Sequence, residues 1–402
     1  MSKILRMYNV EFGDAFLLYE NEENLLVDLG SIKSDFNFVP IRKLIKADCN
    51  QKEFSFLLTH FHKDHWSGLL NQTTASKLPA VKTVYLPDIF GTRYAKQIDI
   101  IVRSLISEFF QSIILDVKLS FTLADLLHNI LPSLASEQIT FLARDSTFFV
   151  GKKKYKVLWP SVQEKDIVME QDTKLRYLIE QLNKLLAESG WDYNLLETLD
   201  KTATALLVKF ARNINHALQD DKWEIQEEFE VLNTRMGLAA ESLSKTLKTP
   251  LANESLKTLR SSIQYYIKAL DGNWNDISLV FHEMETGEVL MTGDIPRNTL
   301  KKLIHGEYGN PKLKEKYLII KAPHHGTETH FCALLPPCRH YCISNGAGNK
   351  NYGEISELYE YVYGCLGKGS RIICTNPSRC EFLRRNVCPT SRTCPCRIYY
   401  DI

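Results

Sequence analysis

The apolar run Phe54-Ser55-Phe56-Leu57-Leu58 leads straight into Thr59-His60-Phe61-His62-Lys63-Asp64-His65, with Trp66-Ser67-Gly68 behind it. The run reads as a buried strand, and four metal-ligating side chains within six residues at its end restrict what can form there. A loop leaving a buried strand is a rigid mount for a site. In a locally extended loop, side chains two apart project to the same side, so His60 and His62 can grip one cation. Asp64 and His65 are adjacent, diverge from that pair and can reach a second. Imidazole nitrogen with carboxylate oxygen suits zinc, manganese or iron better than calcium. Three of the chain's 11 histidines fall in this heptapeptide, which separates it from an ordinary polar loop.

Two later apolar runs end in the same way. Glu288-Val289-Leu290-Met291 leads into Thr292-Gly293-Asp294, and Tyr317-Leu318-Ile319-Ile320-Lys321 into Ala322-Pro323-His324-His325-Gly326. A layered sheet structure is the arrangement that brings three such strand ends to one place. Residues 4–28, 81–86, 139–142, 147–150, 155–159 and 276–281 also read as strands, and 94–112 as a helix. Gly151-Lys152-Lys153-Lys154 reads as the solvated tip of a hairpin. Between about 163 and 270 the strand signals stop. Leu175, Leu178, Ile179, Leu182, Leu185 and Leu186, then Leu256, Leu259, Ile263, Tyr266 and Ile267, recur at three- and four-residue spacing. This predicts a helical insertion of three or four helices, a cap or a partner-binding arm.

At these motifs the chain resembles the metallo-β-lactamase-fold hydrolases. It is most similar to the subgroup containing the hydrolase domain of the DNA-uptake competence channel and the phosphorylcholine esterases. That subgroup is marked by counterparts of Met291-Thr292-Gly293-Asp294, of Lys321 to Gly326, and of Ser344-Asn345-Gly346-Ala347-Gly348-Asn349-Lys350-Asn351-Tyr352. The resemblance implies an α/β fold, an αββα sandwich in two parts, 1–165 and 271–402, interrupted by an all-helical insertion over 166–270.

It also implies two divalent metal ions, zinc first and manganese second. His60 and His62 would hold one, Asp64, His65 and His325 the other, and Asp294 would bridge both. Asp64 and His324 are the candidate catalytic residues, His324 either donating to the phosphate and leaving oxygen or standing as a structural histidine. By the same likeness Asp14 and Asp28 orient ligand imidazoles or are plain turn formers. Lys63, Lys321, Ser344 and Asn349 are candidate substrate contacts, and Asn345 could contact a phosphate. Many members of the wider fold give the first metal a third histidine, and His128, His216 and His282 lie in contexts without a ligand-like loop. His282 reads as a surface or packing residue, which leaves the first site open or weaker.

The expected activity is hydrolysis of phosphoester bonds in DNA or RNA by a metal-activated water. The alternatives are a small-molecule phosphodiesterase or other ester hydrolase, and an effector subunit of a multi-protein assembly, such as an anti-phage defence system, docking through residues 166–270. A net charge of +1 argues against a polyanion-coating protein. Beyond Leu366, however, seven Lys and Arg stand against Glu381 and Asp401, with five cysteines interleaved. That stretch fits nucleic acid as substrate, or a solvated basic face, and its cysteines read first as reduced buried thiols, with a structural zinc on four of them as the alternative. No run of 18 apolar residues occurs, since 98–117 is broken by Arg103, Glu108 and Gln111, and Met1-Ser2-Lys3-Ile4 enters a strand-like pattern without a signal-peptide core. A soluble cytoplasmic protein without membrane contact is expected.

Overall fold

The computed structural model describes residues 4–19, 23–70, 72, 76–88, 94–119, 126, 130, 134–161, 173–191, 194–195, 197–199, 201–205, 222–248, 254–309, 312–346, 356, 358–359, 362, 370–375 and 399–401. Their strands make two seven-stranded sheets. The first sheet holds β1 (Leu5–Tyr8), β2 (Ala15–Leu18), β3 (Leu25–Leu29), β4 (Phe54–Leu57), β5 (Val81–Pro87), β6 (Ala135–Leu142) and β14 (Tyr399–Asp401). Its order is β14-β1-β2-β3-β4-β5-β6. The second holds β7 (Thr147–Val150), β8 (Lys153–Trp159), β9 (Val280–Glu283), β10 (Val289–Met291), β11 (Tyr317–Lys321), β12 (Cys338–Ile343) and β13 (Arg371–Cys374), in the order β13-β12-β11-β10-β9-β8-β7.

In each sheet antiparallel pairing gives way to parallel pairing at one place. In the first sheet the change falls at β3–β4, with Val27 opposite Leu57, and in the second at β10–β11, with Leu290 opposite Ile320. The three ligand-bearing loops leave β4, β10 and β11.

Alternation along the strands fixes which faces meet. Leu5, Met7, Phe16, Leu18 and Val27 of the first sheet share one core with Phe148, Tyr155, Phe281 and Ile319 of the second. On the outer face of the second sheet lies α6 (Arg297–His305), whose Leu300 and Leu303 are buried against Ile320, Tyr341 and Ile343. Each of those leucines contributes about 1.5–3 kcal/mol by burial. On the other face of β1, Tyr8 donates to Asp48 Oδ2 at 2.6 Å and Arg6 pairs with the same carboxylate, which docks α1 (Val39–Asp48) there. Helix, sheet, sheet and helix follow in that order, the sandwich the sequence motifs imply.

The chain divides into two compact units: residues 1–89, 134–166 and 274–402, which contain both sheets, and residues 90–133 with 167–273. The second unit contains α2 (Tyr94–Leu115), α3 (Thr173–Glu188), α4 (Lys222–Leu247) and α5 (Glu254–Asp271). The α2 helix packs on α4 and α5, burying Leu105 and Phe109, and Ser244 donates to Asp116 at 2.9 Å. The helical unit thus takes in α2 as well as the insertion read from the sequence, because the apolar face of α2 finds its partners there. No helix among the described residues is long and apolar enough to cross a membrane.

Two further differences concern the second sheet. The strand expected over 276–281 begins only at Val280, and Gly272–Ile277 forms a 3-10 helix whose Trp274 packs edge-on against Phe61 at 5.0 Å. The Arg- and Cys-rich end of the chain is stitched into both sheets, through β13 and β14. Cys380, Cys388, Cys394 and Cys396, with Arg379, Arg384, Arg385, Arg392 and Arg397, lie outside the described residues, as do His128, His216 and Asn349. Cys49, Cys332, Cys338, Cys342 and Cys374 are buried free thiols.

Candidate metal centre

The loop after β4 bends at His60 and Phe61, is extended at His62 and then closes one 3-10 turn over Lys63–His65, with the His65 amide donating to the His62 carbonyl at 3.0 Å. That turn separates Asp64 and His65 from the His60–His62 pair. The buried Trp66 pins it, its indole donating to the Phe61 carbonyl at 2.9 Å. Gly30 is required beneath: a Cβ there would lie 2.3 Å from the Asp64 carbonyl carbon and 2.4 Å from the His65 nitrogen. Asp14 holds the same turn from the other side, its amide donating to the Asp64 carbonyl at 3.1 Å.

The loop after β11 is strained, with His324 and His325 both at left-handed φ, 43° and 56°. Such residues cost about 1–3 kcal/mol each and persist only where neighbours hold them. Here the His324 amide donates to the Gly293 carbonyl at 3.2 Å, and the Asn345 side-chain amide donates to the His325 carbonyl at 3.1 Å.

These loops bring four donors together. His325 Nε2 lies 3.1 Å from Asp64 Oδ2 and 3.3 Å from Asp294 Oδ2, and His65 Nε2 lies 3.2 Å from Asp294 Oδ2 and 3.9 Å from Asp64 Oδ2. A tetrahedral zinc with bonds of about 2.0–2.1 Å holds its donors about 3.3 Å apart, so this set fits such an ion. Asp64, His65 and His325 form one metal-competent cluster and His60, His65 and Asp294 another. His60 Nε2 and His62 Nδ1 face each other at 2.9 Å, and His60 Nε2 is 4.0 Å from Asp294 Oδ2. Five of the six residues named as ligands from the sequence, His60, Asp64, His65, Asp294 and His325, therefore fall in these clusters, and His62 stands against His60. Among the described residues, His62 joins no third ligating group to make a cluster of its own.

The outer ring is carboxylate-rich. Asp28 accepts from His65 Nδ1 at 2.8 Å and from the Thr59 amide and hydroxyl at 2.8 and 2.7 Å. Asp14 accepts from His325 Nδ1 at 3.2 Å and pairs with Lys321. Each carboxylate thus fixes an imidazole with its Nε2 turned inward, the orienting role weighed for both from the sequence. Burial opposes charge on His65, but Asp294, Asp28 and Asp64 outweigh it and push the imidazole up to about 10. His325 is likewise raised well above its ordinary value by Asp294 and Asp14 against burial. His60 goes the other way, lowered by burial and by its histidine neighbours. The imidazolium protons that these carboxylates stabilise on His65 and His325 are what a divalent cation would displace on filling such a site.

Several residues do other work than the sequence implies. Lys321 is buried and its ammonium is committed to Asp14, to Asp294 Oδ1 at 2.9 Å and to the Gly293 carbonyl at 2.8 Å, so it neutralises the centre and cannot reach a substrate. Ser344 is buried and donates to the Gly13 carbonyl, and Asn345 supports His325, so both brace loops. Lys63 is exposed beside the ligand loop, where an anion can meet it. His282 is buried against Tyr317, Nδ1 to hydroxyl 2.7 Å, as a packing residue. His324 is partly exposed, with Nε2 3.9 Å from Asp294 Oδ2 and Nδ1 bonded to Thr327 Oγ1 at 2.8 Å.

Four residues to which the sequence reading gave no role also belong to the site. Thr59 and Ser278 present hydroxyls to His60 Nδ1 at 3.2 and 3.4 Å. Thr327 lies 3.2 Å from His330 Nδ1, and the His330 ring stacks on His324 at 4.0 Å. Only His330, a histidine five residues beyond His325, carried a usable signal.

No family model and no curated protein matches the chain. Among solved structures it is similar to the metallo-beta-lactamase fold protein YhfI from Bacillus subtilis, at 13% identity over 38% of this chain and 52% of that one, with a TM-score of 0.21. An archaeal metallo-beta-lactamase superfamily protein from Sulfolobus tokodaii is 11% identical over 39% of this chain and 55% of that one, TM-score 0.21. The metallo-beta-lactamase SMB-1 bound to 2-mercaptoethanesulfonate is 13% identical over 65% of this chain and 94% of that one, TM-score 0.22. The chain spans about half the length of the first two. Likenesses this distant are silent on substrate, and the chemistry rests on the donor set itself.

Proposed function

We propose that the chain is a metal-dependent hydrolase of phosphoester bonds and that its substrate is nucleic acid. The observation that carries this is the convergence of Asp64, His65, Asp294 and His325, with inward donors 3.1–3.9 Å apart and the His60–His62 pair beside them. Two divalent ions in such a set supply an activated water and polarise the ester, zinc and manganese both suiting these donors.

The remaining steps belong to the protein. Lys321 pairs with Asp14 and Asp294, while Asp28 and Asp64 hold His65 and His325, so with two divalent ions bound the four carboxylates would be outweighed and the centre would favour an anionic phosphodiester. Buried Asp14 and Asp28 keep the imidazoles of His325 and His65 turned inward. His324 stands at the open side. When Thr327 donates to its Nδ1, the proton sits on Nε2, placed to meet a phosphoryl or leaving oxygen. Nucleic acid is favoured by the basic stretch beyond Leu366, whose start is tied to the site: Thr375 accepts from the Asn345 amide at 2.8 Å, and Asn345 in turn holds the His325 carbonyl.

The test is cleavage of single- and double-stranded DNA, RNA and bis(p-nitrophenyl) phosphate by wild type and Asp294→Ala in zinc or manganese. Polynucleotide cleavage that needs metal and falls about 10³-fold in the variant is expected. Equal cutting by both proteins rules out the site, and turnover of the small ester alone rules out nucleic acid.

A further inference from the structure

Two turns in succession carry the chain from His324 to His330. The Thr327 amide donates to the His324 carbonyl at 3.1 Å, and the His330 amide to the Thr327 carbonyl at 3.2 Å. The result is a stacked pair of imidazoles, His324 and His330, with ring centroids 4.0 Å and planes 30° apart. Both rings turn Nδ1 toward one oxygen, the Thr327 hydroxyl, at 2.8 Å for His324 and 3.2 Å for His330. A second hydroxyl, Thr329 Oγ1, lies 2.9 Å from His330 Nδ1.

One hydroxyl between two imidazoles allows few arrangements. A hydroxyl has one proton to give, and a neutral imidazole has one donor nitrogen and one acceptor. Thr327 therefore donates to one Nδ1 and accepts from the other, which sets the two rings in opposite tautomers. Thr329 breaks the tie. A nitrogen lone pair takes one good hydrogen bond, whereas an N–H can be shared between two oxygens. His330 Nδ1 has two hydroxyls beside it, so the arrangement that uses both contacts puts a proton on that nitrogen. Exposed Thr329 can turn its own proton to water, while buried Thr327 sends its proton to His324 Nδ1 over the shorter contact. His324 then carries its ring proton on Nε2, the nitrogen 3.9 Å from Asp294 Oδ2.

We infer that His330 is a positioning residue: by donating through Nδ1 to Thr327 it directs the Thr327 hydroxyl at His324 and keeps His324 in the form that presents an Nε2–H to the substrate. The inference rests on the phosphoester-hydrolase reading and adds what holds its hydrogen-bond donor ready. No proton leaves His324 in this role. A neutral imidazole N–H aimed at a phosphoryl or leaving oxygen stabilises the negative charge that develops there in the transition state. His330 acts through Thr327 and His324 and holds no metal, as it belongs to none of the metal-competent clusters among the described residues.

The test is a long-range proton–nitrogen correlation spectrum of the zinc-loaded full chain carrying nitrogen-labelled histidine, which tells protonated from bare ring nitrogens. Peaks are assigned by their loss in His330→Asn and His324→Gln. A proton on Nδ1 of His330 and on Nε2 of His324 is expected. Two variants then separate the N–H from the ring: His330→Phe keeps a ring to stack but has no N–H, and His330→Asn keeps an N–H near the Nδ1 position but has no ring. With bis(p-nitrophenyl) phosphate and a DNA oligonucleotide, His330→Phe should lower kcat about three- to tenfold at unchanged KM, and His330→Asn should restore it. Metal content and melting curves identify any variant that fails to fold. A bare Nε2 on His324, the same tautomer on both rings, or His330→Phe outperforming His330→Asn overturns the inference. The spectrum needs no turnover, so it decides the hydrogen-bond order even where the wild type cleaves neither substrate, the outcome that overturns the hydrolase reading.

Discussion

The two sheets furnish the centre in different ways. The first sheet loads His60, His62, Asp64 and His65 onto one loop after β4, whereas the second supplies Asp294 from the end of β10 and His325 from the end of β11. The difference decides what each contribution depends on. A loop carrying four donors in six residues owes its geometry to local turns, and to Gly30 and Trp66 packed beneath it. Single donors on neighbouring strands owe theirs to sheet pairing and to bonds made across the fold. Damage to the first contribution therefore moves several ligands a little, and damage to the second removes one ligand completely.

Substitutions that sharpen this contrast rank by expected effect. Asp294→Ala comes first, because one carboxylate oxygen faces His60, His65 and His325 together: metal content and phosphodiester cleavage should fall together, activity by about 10³-fold. Retention of wild-type metal content in that variant, seen by elemental analysis, would break the comparison. Lys321→Met comes next. It strands Asp14 and Asp294 as buried charges, so the metal-free protein should lose about 3–5 kcal/mol in denaturant unfolding, with part regained on metal addition.

Gly30→Ala tests the first sheet's loop. Its Cβ meets backbone rather than a yielding side chain, so a loss of about 1–3 kcal/mol with weakened metal binding is expected, read by thermal melting and metal titration. The smallest expected effect belongs to Thr327→Val, which removes the bond to His324 Nδ1 without touching a ligand. Metal content should stay at the wild-type level while kcat falls about tenfold or more and its pH profile shifts, and Thr327→Ser should restore both.

Acidity separates the metal-free from the metal-loaded protein. The His65 imidazole, pushed up to about 10, holds a proton in the metal-free fold that the unfolded chain releases near 6.5. Its folded value is the higher one, so the stabilisation is fully present below about pH 6.5 and is lost as pH rises from there through about 10. Stripped protein should accordingly lose melting temperature across that window. Metal-loaded protein should not, because the ion has displaced the proton. Parallel curves for the two forms would show that His65 is not a ligand.

Much of the centre can be read along the chain because its chemistry is written in short spacings. His60, His62, Asp64 and His65 announce a metal loop unaided, and Asp294 and His325 stand at the ends of apolar runs that any layered sheet gathers together. Lys321 and Ser344 were expected at the substrate, and nothing local distinguishes a lysine or serine that faces solvent from one that is buried. Only packing shows that the Lys321 ammonium is shared by Asp14 and Asp294 and that the Ser344 hydroxyl ties down Gly13. The membership of α2 in the helical unit is hidden for the same reason, since an amphipathic face does not name its partner.

The sequence by itself determined the donor set, the alternation that makes two sheets with a helical insertion, and the pairing of strand ends with ligands. These depend on the identity and spacing of neighbouring residues, which a chain carries whether folded or not. Tertiary structure alone decided that carboxylates stand behind His65 and His325 while hydroxyls stand behind His60. Ser278 is 218 positions from His60 and Asp14 is 311 from His325, and at such separations only the closed sandwich determines what a side chain meets.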